Sequence, residues 1–234
     1  APYGNRSFDV VYEFTLEAVK FLFEQGSPLV ILACNTASAK ALRTIQQKDL
    51  PLIAPNNRVL GVIRPSTEVL GERTKTGHVG VLGTTGTITS QSFPIELSKF
   101  APDTVVHQHA CPMWVPLIEN QQHEHPAGQQ FIYEDVQAIL AQSSEIDTLL
   151  LACTHYPVLQ QQIEMLVGPT IQVVPQGPIV AEKLENYLFA HPEMEARLSK
   201  NGAVAYFTSE ATKVFNERAT SFLGAQVNAL HHSF

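Results

Sequence analysis

Pro28-Leu29-Val30-Ile31-Leu32-Ala33-Cys34-Asn35-Thr36 and Asp147-Thr148-Leu149-Leu150-Leu151-Ala152-Cys153-Thr154-His155 follow one plan. Each is an apolar run of strand length, then Ala-Cys, then amide or hydroxyl residues, then a segment of helical period. Runs that are apolar throughout suit strands covered on both faces, as in a parallel sheet between helix layers. In each copy the cysteine stands at the strand's carboxyl end. That edge of an open α/β sheet binds ligands, because the next helix offers unpaired N–H groups and the positive end of its dipole. Two copies predict two α/β lobes, each a mostly parallel sheet flanked by helices, with a site in the cleft between them.

The rest of the chain keeps the same alternation of strand and helix patterns. Further strands are expected at residues 59–63, 78–82, 104–107, 146–152, 171–174 and 203–207. Near the start, Ser7 caps a helix with Asp9 in its first turn, and Gly26 ends it. Its inward face is expected to carry Val11, Phe14, Ala18 and Phe21 or Leu22. Residues 64–77 hold a short helix pattern bounded by Pro65 and Gly77, and they suit a crossing between lobes.

Composition narrows the function. The chain has 234 residues, 44% hydrophobic and 16% charged, which excludes a disordered or fibrous polymer. Fifteen Lys+Arg against 22 Asp+Glu give a formal charge of −7, and no dense basic run offers a nucleic-acid surface. The longest apolar stretches fall far short of the ~20 residues of a membrane helix. The expected location is the cytoplasm.

Cys34, Cys111 and Cys153 are odd in number and include no C-x-x-C pair, so neither a disulfide framework nor a thiolate zinc site is indicated. Cys111, followed by Pro112-Met113-Trp114-Val115, reads as a packing residue. Cys34 and Cys153 differ because polar residues unsuited to a dry core follow each. A thiol at a helix N-terminus is expected to have a depressed pKa and a usable thiolate fraction. Two such thiols approaching one carbon from opposite sides would remove a proton from one face and deliver another to the opposite face. Asn35, Thr36 and Thr154 supply uncharged donors at the same strand ends, and Gly83-Thr84-Thr85-Gly86-Thr87 adds hydroxyls and backbone N–H groups. His155, two residues past Cys153, is set to move that thiol's proton. No lysine stands in a Schiff-base setting with a phosphate cradle, so no cofactor is expected. His123-Glu124-His125 reads as a surface loop lacking a third ligand, so no metal is expected either.

These residues resemble the cofactor-independent aspartate/glutamate racemase family. The likeness runs through residues 2–7, Ala33-Cys34-Asn35-Thr36-Ala37-Ser38-Ala39, Gly61-Val62-Ile63 with Pro65, residues 83–87 with Ser90, Cys111-Pro112 with residues 115–119, and Cys153-Thr154-His155-Tyr156-Pro157. It implies two pseudo-symmetric lobes, residues 1–65 with 177–234 and residues 66–176, and Cys34 and Cys153 as the acid/base pair. By the same resemblance Asn35, Thr36, Thr84, Thr87, Thr154 and the Pro2-Tyr3-Gly4 backbone contact the amino acid. His155 assists Cys153, with Glu119 as its partner.

The implied reaction is interconversion of L- and D-glutamate, which supplies D-glutamate for peptidoglycan. Alternatives are the same chemistry on aspartate or a hydantoin, and a non-catalytic relative that binds an acidic metabolite or a protein. Members of this family often dimerise, and some restrain DNA gyrase, so a homodimer and a protein contact with gyrase also fall within the resemblance. Two departures stand out. The family opens with a strand ending in Asp-Ser-Gly, whose aspartate assists the first cysteine. The expectation is that such a piece, roughly 30 residues or more, precedes Ala1 in the natural chain, and that without it stability and activity suffer. At Pro175-Gln176-Gly177 many relatives carry an acidic or amide residue followed by Ser, and Arg64 before Pro65 has no counterpart reason in the sequence.

Overall fold

The computed structural model describes residues 3–233. Ala1–Ala196 form one compact unit and Arg197–Phe234 a second. The larger unit opens with the helix Phe8–Glu24, whose cap is Ser7: its Oγ accepts from the Val10 N–H at 3.4 Å. Gly26, at φ +86, lets the chain leave the helix in a conformation that L side chains rarely adopt. Its buried residues are Val11, Thr15, Val19 and Phe21, so Val11 and Phe21 face inward as expected. Phe14, expected inside, is instead exposed. Its ring lies 6.4 Å from that of Tyr3 and under the Arg6 guanidinium at 5.7 Å, so neighbours on the protein's surface give it cover that the core does not.

Strand β1 (Leu29–Leu32) pairs in parallel with β2 (Arg58–Gly61), with short helical turns from Asn35 to Ile53 as the crossover. Val19, Val30, Leu32, Ala41, Ile45, Leu50 and Val59 form the core on this sheet. Val62 and Ile63, expected to prolong β2, instead cap and begin the helix Ile63–Arg73. Ser38 explains the turn: its Oγ donates to the Leu32 carbonyl and accepts from the Val62 N–H, which ends the ladder there. Arg64 is also accounted for. It bonds Glu68 at 3.0 Å and lies 5.5 Å over the Phe100 ring.

The second sheet has four parallel strands in the order β4-β3-β5-β6, with β3 His78–Gly83, β4 Val105–Ala110, β5 Thr148–Ala152 and β6 Gln172–Pro175. The five apolar or β-branched residues of β5 are all buried and divide by alternation. Leu149 and Leu151 face a core with Trp114, Ile132, Ile139 and Tyr156, while Leu150 and Ala152 face one with Leu70, Phe93, Leu97 and Ile179. Each fully buried Leu or Ile contributes about 1.5–3 kcal/mol by leaving water.

Asp147 locks the sheet's amino end. Its carboxylate accepts from the Thr74 hydroxyl, the N–H groups of Lys75 and Thr76, and the Thr148 hydroxyl. Burial pushes this carboxyl up, but those four donors outweigh it and hold the group at about 2, down from 3.8.

The smaller unit pairs β7 (Tyr206–Thr208) in parallel with β8 (Ala229–His231) around the helix Thr212–Leu223, which Gly224 ends at φ 64. β8 was not expected, because three residues carry too little periodicity to read. Asn216 Oδ1, accepting from the Ala229 N–H at 2.9 Å, ties it to the helix. Among the described residues no helix is long and apolar enough to cross a membrane.

Candidate active site

The strand register assembles the site. Gly83 at the end of β3 is level with Ala110 of β4 and with Ala152 of β5, and Leu151 is level with Pro175 of β6. Thr84, Cys111, Cys153 and Gln176 therefore leave one sheet edge side by side, at the carboxyl ends where α/β sheets bind ligands. From the other sheet, Cys34 follows β1 and stands just before the helix Asn35–Lys40, in extended conformation.

Hydroxyl groups join the two edges. Thr36 Oγ1 lies 2.8 Å from Thr84 Oγ1 and 3.4 Å from Thr87 Oγ1, and the last two are 3.1 Å apart. Each hydroxyl both donates and accepts, so the triangle satisfies itself in the absence of a ligand. Thr84 also caps the helix Thr85–Thr89 by accepting from the Thr87 N–H. The Gly86 N–H donates to the Gly4 carbonyl at 2.8 Å, so the Tyr3-Gly4 segment adjoins the same cluster; burial, and after it charge on Cys34, pushes the Tyr3 hydroxyl up. Pro2, expected beside them, lies outside the described residues. Thr154 is exposed next to Cys153.

His155 bridges Cys153 and Glu119. Nε2 lies 3.2 Å from Glu119 Oε1 and Nδ1 lies 4.0 Å from Cys153 Sγ. With Nε2–H donating to the carboxylate, the neutral ring presents Nδ1 as an acceptor toward the thiol. Glu119, at the end of the helix Trp114–Glu119, gains a defined partner that its sequence context did not supply.

The thiols correct one expectation. Helix-end amides were expected to depress both, yet burial pushes Cys34 up despite the Ala37 and Thr36 N–H groups and the Thr36 hydroxyl. Burial likewise takes Cys153 from 9.0 to about 12, against the His155 and Tyr156 N–H groups, and charge on Cys34 and Glu119 adds to the rise. Desolvation disfavours the thiolate more than one short helix end favours it.

Cys111 is buried and its carbonyl accepts from the Tyr156 hydroxyl at 3.1 Å, while the Trp114 and Tyr156 rings pack 4.7 Å apart. Its sulfur lies near His109 and Asp135, which already bond each other at 2.8 Å. His125, in the expected surface stretch, caps the helix Pro126–Leu140 through Nδ1. A cavity of about 960 Å³ lies elsewhere, lined by Arg43, Arg64, Glu68, Lys99 and Lys183 among others, and includes neither Cys34 nor Cys153. Cys153, Asn35, Thr36, Thr84 and Thr87 are buried, while Cys34 and His155 are half-buried and Thr154 is exposed.

Residue Gln176 carried no assigned role in the sequence. Its buried side chain accepts from Asn35 Nδ2 at 2.6 Å and donates to Ser66 Oγ at 2.8 Å. The partners are 141 and 110 positions away, which no local pattern reports.

A family model described as Asp/Glu/Hydantoin racemase matches residues 9–184. The chain belongs to that family. A glutamate racemase of Ruegeria pomeroyi is 35% identical over 97% of this chain and 85% of its own length. One of Streptococcus suis is 32% identical over 99% of this chain and 84% of its own. The crystal structure of a glutamate racemase isoform from Bacillus anthracis superposes with a TM-score of 0.88, at 30% identity, covering 100% of this chain and 84% of that one. This member of the racemase family is accordingly an isomerase with the parallel-sheet architecture of those relatives.

Proposed function

We propose that this racemase interconverts L- and D-glutamate without a cofactor, with Cys34 and Cys153 as its two bases. The observation that carries the reading is a pair of thiols just past the carboxyl ends of two parallel-sheet strands, with the Thr36 hydroxyl beside one bonded to Thr84 from the sheet that bears the other. The thiolate of one cysteine takes the α-proton, and the electron pair of the broken C–H bond spreads into the α-carboxylate. The thiol of the other cysteine then delivers its proton to the opposite face. The stereocentre inverts, the two sulfurs have exchanged protonation states, and the reverse reaction resets them.

Burial holds both thiols up, so one must lose its proton as substrate enters. His155 Nδ1 is the acceptor available to Cys153, and Glu119 holds the ring in that tautomer. Asn35, Thr36, Thr84, Thr87 and Thr154, with the Pro2-Tyr3-Gly4 backbone, bind the carboxylates and ammonium and stabilise the charge that develops on proton removal. In this reading the lobes comprise residues 1–65 with 177–234 and residues 66–176, the protein is a cytoplasmic homodimer, and its product enters peptidoglycan. The named relatives are glutamate racemases, which favours glutamate over aspartate or a hydantoin.

Incubation with L-glutamate in deuterated water tests the proposal. Exchange of the α-hydrogen with formation of the D-isomer is expected, and Cys34→Ser and Cys153→Ser should each abolish racemisation. Glutamate binding without any exchange by the wild-type protein would point to a non-catalytic relative. Turnover of aspartate or a hydantoin in place of glutamate would move the substrate.

A further inference from the structure

Gln176 is the first residue of the helix Gln176–Ala190, immediately after β6, and its amide meets three partners that leave it one orientation. Nε2 faces the Val62 carbonyl at 3.3 Å and Ser66 Oγ at 2.8 Å. A carbonyl only accepts, and the Ser66 hydroxyl spends its hydrogen on that same Val62 carbonyl at 3.0 Å, so Ser66 also accepts. The Gln176 NH₂ must therefore point to this pair and its oxygen to Asn35.

Asn35 must in turn donate Nδ2 to Gln176, at 2.6 Å. Its Oδ1 is left buried with no partner, on a side chain only 2% exposed. Asn35 stands between Cys34 and Thr36, and an orphaned acceptor there is open to a donor on a ligand. Were the Asn35 amide reversed, it would offer NH₂ to any cation that arrived.

We infer that Gln176 is a positioning residue, which holds Asn35 with its acceptor oxygen turned to the substrate's α-ammonium group. The inference rests on the glutamate reading, and it makes Gln176 the determinant of recognition of the amine, as distinct from the carboxylates.

The test compares glutamate with glutarate, which keeps both carboxylates and lacks the ammonium. Gln176→Met removes the anchor from Asn35 and is expected to raise KM for L-glutamate about tenfold, with the inhibition constant of glutarate changed less than about twofold. Gln176→Glu keeps an acceptor for Asn35 Nδ2 but sets a buried carboxylate oxygen against the Val62 carbonyl, so it should recover the discrimination only in part, through a Ser66 hydroxyl turned to donate to it. Ser66→Ala keeps Gln176 but loosens its orientation, and gives the same pattern at about threefold. It also serves should Gln176→Met fail to fold. Parallel weakening of glutamate and glutarate would reduce Gln176 to a structural role, and unchanged constants in an active wild-type background would remove it altogether. A wild-type protein that neither binds nor racemises glutamate would overturn the proposed function, and this inference with it.

Discussion

For Cys153 the contest lies between a buried sulfur and a handful of N–H groups, and burial prevails, holding the thiol at about 12. Two consequences follow with opposite signs. In the proposed reaction the thiolate is the base, so kcat/KM should climb with pH across the alkaline range, by up to about tenfold per unit below the thiol's pKa. Folding runs the other way. The unfolded thiol ionises near 9.0 and the folded one near 12, so the unfolded chain loses its proton first, and stability falls as pH rises between those values. Paired pH profiles of initial rate and of urea midpoint check both, and a rate that is flat from neutral to alkaline pH would refute the thiolate assignment. At this scale the paired Ala-Cys motifs made the two sulfurs legible, but their protonation was not. Burial is a sum over the whole neighbourhood, whereas a helix end is visible locally. Gln176 was illegible for the same reason, since three partners far off in the chain give it meaning.

Strands and their ends were the most readable elements, because β1 and β5 carry continuous apolar runs that a parallel sheet requires. The helix Phe8–Glu24 was found with Val11 and Phe21 buried as expected, yet Thr15 and Val19 are buried where Phe14 and Ala18 were foreseen, since a threonine that bonds the Val11 carbonyl can be buried while a phenylalanine beside Tyr3 stays out. β8 escaped because its order depends on pairing with β7. The Asp147 latch belongs to this scale too: one carboxylate ties the turn before β3 to the start of β5. Asp147→Asn keeps the size but halves the acceptors, and should cost about 1–3 kcal/mol of stability at neutral pH. With its folded pKa near 2 against 3.8, the wild type draws on this carboxylate above the higher value and loses the benefit as pH falls through the lower. The gap between wild type and Asp147→Asn in thermal unfolding should therefore narrow in acid, and a constant gap would show that charge has no part in the latch.

Across the larger unit as a whole, the segments that follow the two sheets are joined by the shared core of Ile63, Leu70, Val79, Leu150 and Ile179, and also by the Thr36, Thr84 and Thr87 hydroxyls, the Asn35–Gln176 pair, and the approach of Gly4 to Gly86. The last leaves no room for a side chain. A Cβ at Gly86 would sit 2.9 Å from the Gly4 carbonyl oxygen and 3.0 Å from Lys40 Nζ. Lysine can swing away, but the carbonyl is the acceptor of the Gly86 N–H and cannot move without breaking that bond. Gly86→Ala thus sets two effects against each other. Alanine favours the helix Thr85–Thr89 by up to about 1 kcal/mol, while the displaced Gly4 carries Tyr3 away from Cys34. The expected result is a thermal midpoint near that of the wild type together with a KM for glutamate raised about fivefold or more, because substrate binding must then restore a contact that the wild type already has. A fall in stability with KM unchanged would assign the Gly4–Gly86 approach to folding alone, and would leave substrate capture to the threonines.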